Sequence, residues 1–271
     1  MTARNRERNR IVTFLTDFGT VDGYVAAMKG VVRSQAPSVC LVDAAHDIPP
    51  QDVDAGAWAI HQYWRFYPAG TLHVAVVDPG VGSERAALLA EAEGQIFLAP
   101  DNGLLSWVFR TAETLTVGRL RPHVHRPEEL SNTFHGRDVF AYTAGLLASG
   151  AAEPDELVET ADSYILGSRV QPEYRPDGVH GRIVHVDRFG NLISNITKAD
   201  IQDPRKAIRH IRAGDSLIAG LSTHYAEAEE GEIMALISSA GLVEISVNRG
   251  SAQNVLGLKR GDAITIQWEE T

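Results

Sequence analysis

The segment 76–85, VVDPGVGSER, constrains the fold more than any other part of this chain. An apolar run ends on Asp78, and the glycines and proline that follow bend the backbone sharply before Arg85. Charged tight loops that follow strands are typical of α/β enzymes, which present catalytic groups there. Three similar junctions lie at 14–19, 97–103 and 133–138. Each aspartate alone could cap a helix or close a turn, but four such junctions predict one shared site.

Strand and helix patterns alternate over the first half of the chain. β-Prone apolar runs are separated by segments whose apolar residues recur every three or four positions, which is the spacing of a helix. The order β-α-β-α-β favours a mostly parallel sheet flanked by helices. The predicted strands cover 11–16, 39–42 and 71–77, the helices 23–33, 52–67, 103–109 and 138–148, and a hairpin 86–90 and 95–98.

The pattern changes after a polar connector with two prolines at 171–178. Short strands separated by turn signals follow, which favours a small antiparallel barrel or sandwich. These strands are predicted at 181–186, 192–196, 207–211, 233–237, 242–247 and 263–268. We therefore predict an α/β protein with a disordered tail at 1–10, an N-terminal α/β domain at 11–172 and a smaller C-terminal antiparallel β-barrel-like domain at 173–271.

Composition excludes several classes of protein. The formal net charge of −10 disfavours nucleic-acid binding, because phosphate contacts require a basic face. No apolar stretch reaches membrane-spanning length, and the polar start lacks a hydrophobic signal region, so we expect a cytoplasmic protein that binds no membrane. The single cysteine, Cys40, excludes an internal disulfide and is predicted to be a buried strand residue.

The polar side chains of the first half allow two kinds of chemistry. In the first, Asp17, Asp78, Asp101 and His135 bind one or two divalent ions that activate water. This use is disfavoured because no ligand pair has helical spacing and Arg85 competes for Asp78. The motif at 43–47 could also supply metal ligands, but it reads better as the exit of a strand. The other polar side chains at these junctions are Asp22, Asn102, Arg137 and Asp138.

In the second kind, an ion-paired group of Asp78, Arg85 and His135 holds and polarises one water without a metal. The arginine favours a developing hydroxide but cannot act as a base, so a proton leaves through the aspartate or the histidine. The competing interpretations are a structural salt bridge across the turn and a half-buried histidine.

A second polar group follows strands of the C-terminal half. Phe189 could stack on a planar base, and Asn191 can donate to and accept from a purine edge. Ser239 and the sequence Asn248-Arg249-Gly250 lie at the ends of two later strands. The competing interpretations are core packing for Phe189 and a left-handed turn residue for Asn191.

These motifs resemble the S-adenosyl-L-methionine (SAM) hydroxide adenosyltransferases, which are SAM hydrolases that form adenosine and are related to the SAM-dependent fluorinase and chlorinase. The resemblance covers residues 11–268, and its motifs keep their order along the chain. They are LTDFG at 15–19, HDIPP at 46–50, VDPGVG at 77–82 with Arg85, APDNGLL at 99–105, TFHGRD at 133–138, DRFGNL at 187–192 and VNRG at 247–250.

The resemblance implies a fold, an assembly and roles for individual residues. The fold is an N-terminal α/β domain with a smaller C-terminal β domain, and the assembly is a homotrimer with SAM bound between subunits. The family's catalytic triad falls on Asp78, Arg85 and His135, and its ribose-binding aspartate falls on Asp17. The remaining substrate-binding positions are Asp187 and Ser239 for the methionine amine, and Phe189, Asn191, Asn248 and Arg249 around the adenine.

Departures from the halogenating relatives favour water as the nucleophile. Those enzymes carry a serine at the position of Gly136 and an aromatic residue at the position of Asp78. Their contacts to the methionine carboxylate fall on Gly23 and Ala240, so Tyr24 becomes a candidate for that contact. We therefore expect hydrolysis of SAM to adenosine and L-methionine, with no cofactor and no metal. A SAM-dependent halogenase and a non-catalytic SAM or adenosine sensor are the alternatives.

Overall fold

The computed structural model describes residues 10–125, 130–203 and 205–269. The chain forms two compact units, Met1–Gly167 and Ser168–Thr271, which divide a few residues before the boundary expected from the sequence. The predicted tail at 1–10 lies outside the described residues except for Arg10. That residue is buried, and its carbonyl oxygen accepts a hydrogen bond from the backbone N–H of Cys40.

The first unit contains a seven-stranded mixed sheet. Its strands are β1 (Ile11–Thr16), β2 (Cys40–Ala45), β3 (Leu72–Val76), β4 (Ala87–Ala92), β5 (Gln95–Pro100), β6 (Leu115–Leu120) and β7 (Val158–Thr160). They lie in the order β2-β1-β3-β5-β4-β6-β7, in which the first four are parallel and the later ladders are antiparallel. Because β1 and β3 are parallel neighbours with Thr16 opposite Val76, the loops that follow them leave the sheet at the same edge.

Helices cover both faces of this sheet. They are α1 (Tyr24–Gln35), α2 (Val53–Tyr63), α3 (Ser106–Thr111), α4 (Tyr142–Ser149) and the short α5 (Pro154–Leu157). Side chains alternate along a strand, so Phe14 packs with α1 and α4 while Leu15 packs with α2 and α3. The predicted helix-flanked α/β domain is confirmed. None of the helices in the described part of the chain has the length and hydropathy to cross a bilayer.

Three local features differ from the sequence-based predictions. Cys40 begins a strand as predicted, but the prediction that it is buried is wrong, because β2 is an edge strand and leaves Cys40 exposed. The helix predicted at 138–148 begins as a π-helical segment, Gly136–Ala141, that continues into α4. The strands β6 and β7 were not predicted.

The second unit is an antiparallel, nearly closed sheet that resembles a barrel. Its strands are β8 (Glu173–Arg175), β9 (Gly178–Val186), β10 (Leu192–Thr197), β11 (Ile208–Ala213), β12 (Ser216–Ile218), β13 (Ile233–Ile237), β14 (Leu242–Val247) and β15 (Ala263–Trp268), and one helix, α6 (Ala252–Leu256), follows β14. The strand order is β12-β11-β15-β9-β10-β14-β13, with β8 paired to β9. Ile183, Ile211 and Ile245 lie in its apolar core. The predicted β-barrel-like domain is confirmed.

A buried polar cluster joins β1, β3 and β5 in the first unit. Thr13 Oγ1 lies 2.8 Å from His73 Nδ1, and His73 Nε2 lies 2.7 Å from Gln95 Oε1. Because the Gln95 oxygen can only accept, the His73 proton lies on Nε2 and the Thr13 hydroxyl donates to Nδ1. The ring also stacks on Phe97, with centroids 4.7 Å apart. Burial lowers the pKa of His73 to about 4, so the cluster requires the neutral ring.

Acidification should therefore destabilise the protein in a way that depends on His73. In the unfolded chain this histidine binds a proton below pH 6.5, whereas the folded state resists protonation until about pH 4. The stabilisation is complete above pH 6.5 and falls progressively toward pH 4, by roughly 3 kcal/mol in total. We expect His73→Gln to flatten the pH dependence of the urea-unfolding free energy between pH 7 and 4.5. The exposed His224→Gln should leave the pH dependence unchanged; equal slopes for both variants would contradict the assignment.

Candidate active site

The loop after β3 places Asp78 and Arg85 against the loop that carries His135. Gly82 makes this approach possible, because it has a φ of +78° and a Cβ at this position would collide with the carbonyl oxygen of Asn132. The backbones of the loop after β3 and of the loop before His135 are therefore in direct contact at Gly82. This contact brings the polar side chains of the two loops together.

Asp78, Arg85 and His135 form one hydrogen-bonded group. Arg85 Nε lies 3.0 Å from both carboxylate oxygens of Asp78, and Arg85 Nη2 also donates to Asp78 Oδ2. The same Nη2 lies 3.0 Å from His135 Nδ1. The side chains of Asp78 and Arg85 are only 4% and 10% exposed, so the ion pair is shielded from solvent. The guanidinium carbon also lies 5.4 Å from the centre of the Phe140 ring.

The contact to Arg85 fixes the tautomer of His135. A guanidinium can only donate, so Nδ1 of the imidazole accepts and the proton of the neutral ring lies on Nε2. Burial and the adjacent charge of Arg85 lower the pKa of His135, while Asp78 and Asp138 act in the opposite direction. The ring is therefore neutral at pH 7 and presents an N–H donor.

Arg137 and Asp138 form a second, separate pair beside this group. Arg137 Nε and Nη2 donate to the two oxygens of Asp138 at 2.7 and 2.8 Å. The Asp138 carboxylate is fully buried and also accepts from the backbone N–H of Ser131 at 3.0 Å. The pair thus fixes the loop before His135 to the first turn of the π-helical segment.

Asp17 follows β1 at the same edge of the sheet as Asp78. Its Oδ2 accepts a hydrogen bond of 2.8 Å from the backbone N–H of Gln51. Thr16, which precedes it, contacts the ring of His46. Asp22, in contrast, lies exposed on the loop before α1.

The side chains of Asp101 and Asn102 form hydrogen bonds with backbone groups of neighbouring segments. Asp101 Oδ1 accepts from the backbone N–H of Ile165 at 2.8 Å. Asn102 Nδ2 donates to the carbonyl of Val77 at 2.8 Å, and its Oδ1 accepts from Leu104 N at 3.2 Å. Asn102 therefore connects the end of β5 to Val77, the residue before Asp78. This structural role accounts for the presence of Asn102 in the motif without any contact to a ligand.

The structure does not bring together the side chains of the disfavoured alternative, a metal site. Within residues 10–125, 130–203 and 205–269, no group of three or more His, Cys, Asp or Glu side chains is arranged to hold an ion. Asp78 is engaged by Arg85, and Asp101 by the backbone of Ile165. Asp43 and His46, which had been considered as further ligands, bond to each other at 2.8 Å.

Aromatic side chains surround Gly136 and its neighbours. Phe18, Tyr24 and Phe134 contact one another, with ring centroids 5.3–6.0 Å apart. A Cβ at Gly136 would lie 3.3 Å from Phe18 and from the sulfur of Met28, which is tighter than ordinary packing. No local sequence pattern indicates this aromatic group, because its members come from the loop after β1, the start of α1 and the loop before the π-helical segment.

The second unit presents a compact turn between β9 and β10. Asp187 Oδ1 accepts from the backbone N–H groups of Phe189 and Asn191 at 2.8 and 2.9 Å, and its Oδ2 accepts from Asn191 Nδ2 at 2.9 Å. The Phe189 ring is 76% exposed, so the alternative of core packing is wrong. The left-handed residue of this turn is Gly190 rather than Asn191.

The other predicted binding residues lie at the two ends of the β13–β14 pair. Asn248 follows β14 and donates to the carbonyl of Ala228 at 2.8 Å. Arg249 has a φ of +55°, is exposed, and pairs with Glu230 at 3.0 Å. Exposed Ser239 lies in the turn at the opposite end of β14. Only an elongated ligand could contact both Ser239 and Arg249.

Tyr225 and Glu244 were not found from the sequence. Tyr225 donates to Glu244 Oε1 at 2.8 Å, and Ser246 donates to the same oxygen at 2.6 Å. Burial and the bond to Glu244 raise the pKa of Tyr225 to about 12, and the negative charge of Asp187 contributes. The ring therefore lies within electrostatic range of the Asp187 turn. A tyrosine in a polar loop carries no pattern that would have identified it.

Comparison with known proteins identifies relatives over nearly the whole chain. Residues 12–158 match the SAM hydroxide adenosyltransferase N-terminal domain, and residues 181–265 match the corresponding C-terminal domain. An (R)-S-adenosyl-L-methionine hydrolase of Thermus thermophilus is 39% identical over 268 residues, which cover 95% of this chain and 99% of the relative. A fluorinase of Actinoplanes sp. is 28% identical over 299 residues, with coverage of 95% and 97%.

The fold is also found in a solved structure. The crystal structure of an uncharacterized conserved protein from Thermotoga maritima matches with a TM-score of 0.81 and 30% identity. The match covers 94% of this chain and 99% of that protein.

The contact between Arg85 and His135 predicts how the histidine titrates. In Arg85→Ala we expect the pKa of His135 to rise toward 6.5, because the adjacent positive charge is lost. NMR titration of the imidazole carbons measures this directly. The control Arg175→Ala removes an exposed arginine paired with Glu173 and should leave the titration unchanged. An unchanged or lower pKa in Arg85→Ala would show that the two side chains do not interact.

Proposed function

We propose that this chain, which belongs to the SAM hydroxide adenosyltransferase family, hydrolyses S-adenosyl-L-methionine to adenosine and L-methionine. The observation that carries the proposal is the closed group of Asp78, Arg85 and His135 in a chain of this family. A sensor that only binds SAM has no use for such a shielded group.

In the proposed reaction, water attacks the ribose 5′ carbon opposite the sulfonium. A carbon–oxygen bond forms as the carbon–sulfur bond breaks, and the sulfur leaves as a neutral thioether that needs no proton. Water supplies the oxygen of the adenosine hydroxyl, and its second proton leaves the site. The demand on the protein is therefore to hold water about 3 Å from the carbon and to stabilise hydroxide-like charge.

The hydrogen bonds of the triad suggest a role for each member. Arg85 occupies three of the acceptor positions of Asp78 and leaves one on Oδ1, which can accept a water proton. The N–H of His135 Nε2 can donate to the same water and orient its lone pair. Arg85 keeps the local potential positive as the oxygen gains negative charge.

The proposed substrate contacts come from both units. Asp17 binds the ribose hydroxyls, Asp187 and Ser239 the methionine amine, and Tyr24 is a candidate for the carboxylate. Phe189, Asn191, Asn248 and Arg249 surround the adenine. As the resemblance implies, these groups meet at a subunit interface of a homotrimer. The single unpaired Cys40 is compatible with the proposed cytoplasmic setting.

Gly136 favours hydrolysis over halogenation. The halogenating relatives carry a serine there, whereas this chain has no hydroxyl and little room for one beside Met28 and Phe18. The identity to the Thermus hydrolase, 39%, also exceeds that to the Actinoplanes fluorinase, 28%.

One product assay separates the candidate functions. Purified protein is incubated with SAM in buffer, in high chloride or fluoride, and after treatment with a chelator. We expect adenosine and methionine in equal amounts in every arm. A 5′-halo-5′-deoxyadenosine product would identify a halogenase, and binding without products would identify a sensor. Loss of activity on chelation, restored by a divalent ion, would overturn the metal-independent mechanism.

Replacing Arg85 tests its role in catalysis. We expect Arg85→Ala to lower kcat by on the order of 100-fold or more, because charge stabilisation is lost at the transition state. The Kd for SAM should change much less. Arg175→Ala serves as the control for loss of an arginine–carboxylate pair. If Arg85→Ala turned over SAM at the normal rate, the arginine would be only a structural partner of Asp78.

A further inference from the structure

We infer that His46 is a positioning residue that holds Asp17 in place through Thr16 and the segment 46–51. The inference rests on the proposed function, in which Asp17 binds the ribose hydroxyls of the substrate. His46 is buried at the exit of β2, beside the loop that follows β1.

A chain of four side chains leads from α1 to the Asp17 loop. Lys29 Nζ lies 2.6 Å from Asp43 Oδ2, and His46 Nε2 lies 2.8 Å from Asp43 Oδ1. His46 Nδ1 lies 2.9 Å from Thr16 Oγ1. The hydroxyl of Thr16 also accepts from the backbone N–H of Phe18 at 3.3 Å.

The charge of Asp43 fixes the direction of its two bonds in this group of side chains. Burial raises the pKa of Asp43, but hydrogen bonds from Lys29 and His46 outweigh it and hold that pKa below its usual range. Asp43 is therefore an anion and accepts the Nε2 proton of His46. In a ring that carries one proton, Nδ1 is then the acceptor and the Thr16 hydroxyl donates to it. This hydroxyl cannot rotate away without leaving the buried ring nitrogen unsatisfied.

The backbone of the same segment supports the loop from its other side. The carbonyl oxygen of His46 accepts from the N–H of Gly19 at 2.8 Å, and the N–H of Gln51 donates to Asp17 Oδ2 at 2.8 Å. Gln51 has a φ of +65°, which costs energy for a residue other than glycine and persists where the surroundings impose it. The loop 16–19 is thus held by His46 at both ends and by Gln51 at its carboxylate.

This arrangement leaves Asp17 Oδ1 in a fixed direction for a ligand. Fixing a binding group before the ligand arrives lowers the ordering cost of binding. Loss of one hydrogen bond between these side chains should then weaken binding of the ribose, while the group of Asp78, Arg85 and His135 stays intact. The effect is expected in KM rather than in kcat.

The first variant is Thr16→Val, which removes the hydroxyl at nearly constant volume. We expect KM for SAM to rise about tenfold, the size of one lost buried hydrogen bond, with kcat within about threefold of the wild type. Thr16→Ser, which keeps the hydroxyl, should restore most of the affinity. The matched control is Thr71→Val, which removes another buried hydroxyl, one that donates to the carbonyl of Pro68 at the opposite edge of the sheet.

A double-mutant cycle shows whether the effect passes through Asp17. With Asp17→Asn already in place, Thr16→Val should cost much less affinity than it does in the wild type. Additive effects, or an unchanged KM in Thr16→Val, would overturn the inference. Asp43→Ala, at a half-exposed position, repeats the cycle with the same criterion if Thr16→Val does not fold.

Calorimetric binding of adenosine separates this inference from the proposed function. It measures ribose recognition without turnover, and the same cycle applies to its Kd. If wild type binds adenosine but does not hydrolyse SAM, the proposed function fails and the cycle still decides the role of His46. If SAM is hydrolysed and the cycle is additive, only the role of His46 fails.

Discussion

The site depends on one property of Arg85, which is that a guanidinium donates hydrogen bonds and never accepts them. Asp78 must therefore be an acceptor, and the facing nitrogen of His135 must be one as well. A single cation thus makes one neighbour a hydrogen-bond acceptor and sets the tautomer of the other. Because the side chains of Asp78 and Arg85 are largely shielded from solvent, their attraction is stronger than that of the same pair at a surface, where exposed ion pairs contribute little.

The parallel strands explain why distant segments share this site. β1 and β3 are in register at Thr16 and Val76, so the residues that follow them emerge side by side. His135 comes from a loop far along the chain and reaches Arg85 only because Gly82 lets the two loops touch. In the second unit, the turn at Asp187 is closed by its own carboxylate, which leaves Phe189 projecting outward.

Much of this could be read from the sequence, and the failures have physical causes. The core strands and long helices were predicted because periodic burial leaves a strong pattern, as in β1, where the predicted and observed bounds agree. An ion-paired group of Asp78, Arg85 and His135 was predicted from their motifs, and the structure adds the distances and directions of its hydrogen bonds. Cys40 was misjudged because an apolar strand segment does not reveal that it lies at the edge of a sheet. Tyr225 with Glu244, and Gln51 with Asp17, escaped because they depend on chain crossings that leave no local pattern.

The π-helical segment that follows His135 limits how this region can change in length. Such a segment contains one residue more than the α-helix that would span the same rise, and α4 is anchored in the apolar core behind it. Deleting one residue from Gly136–Ala141 would relax the segment into a regular helix. A deletion within α4 itself would instead rotate everything before it by about 100° relative to the anchored part of that helix, which is the angle per residue of an α-helix. The imidazole would then point away from the guanidinium, so natural variants of this enzyme should tolerate the loss of one residue from Gly136–Ala141 far better than the loss of one from α4.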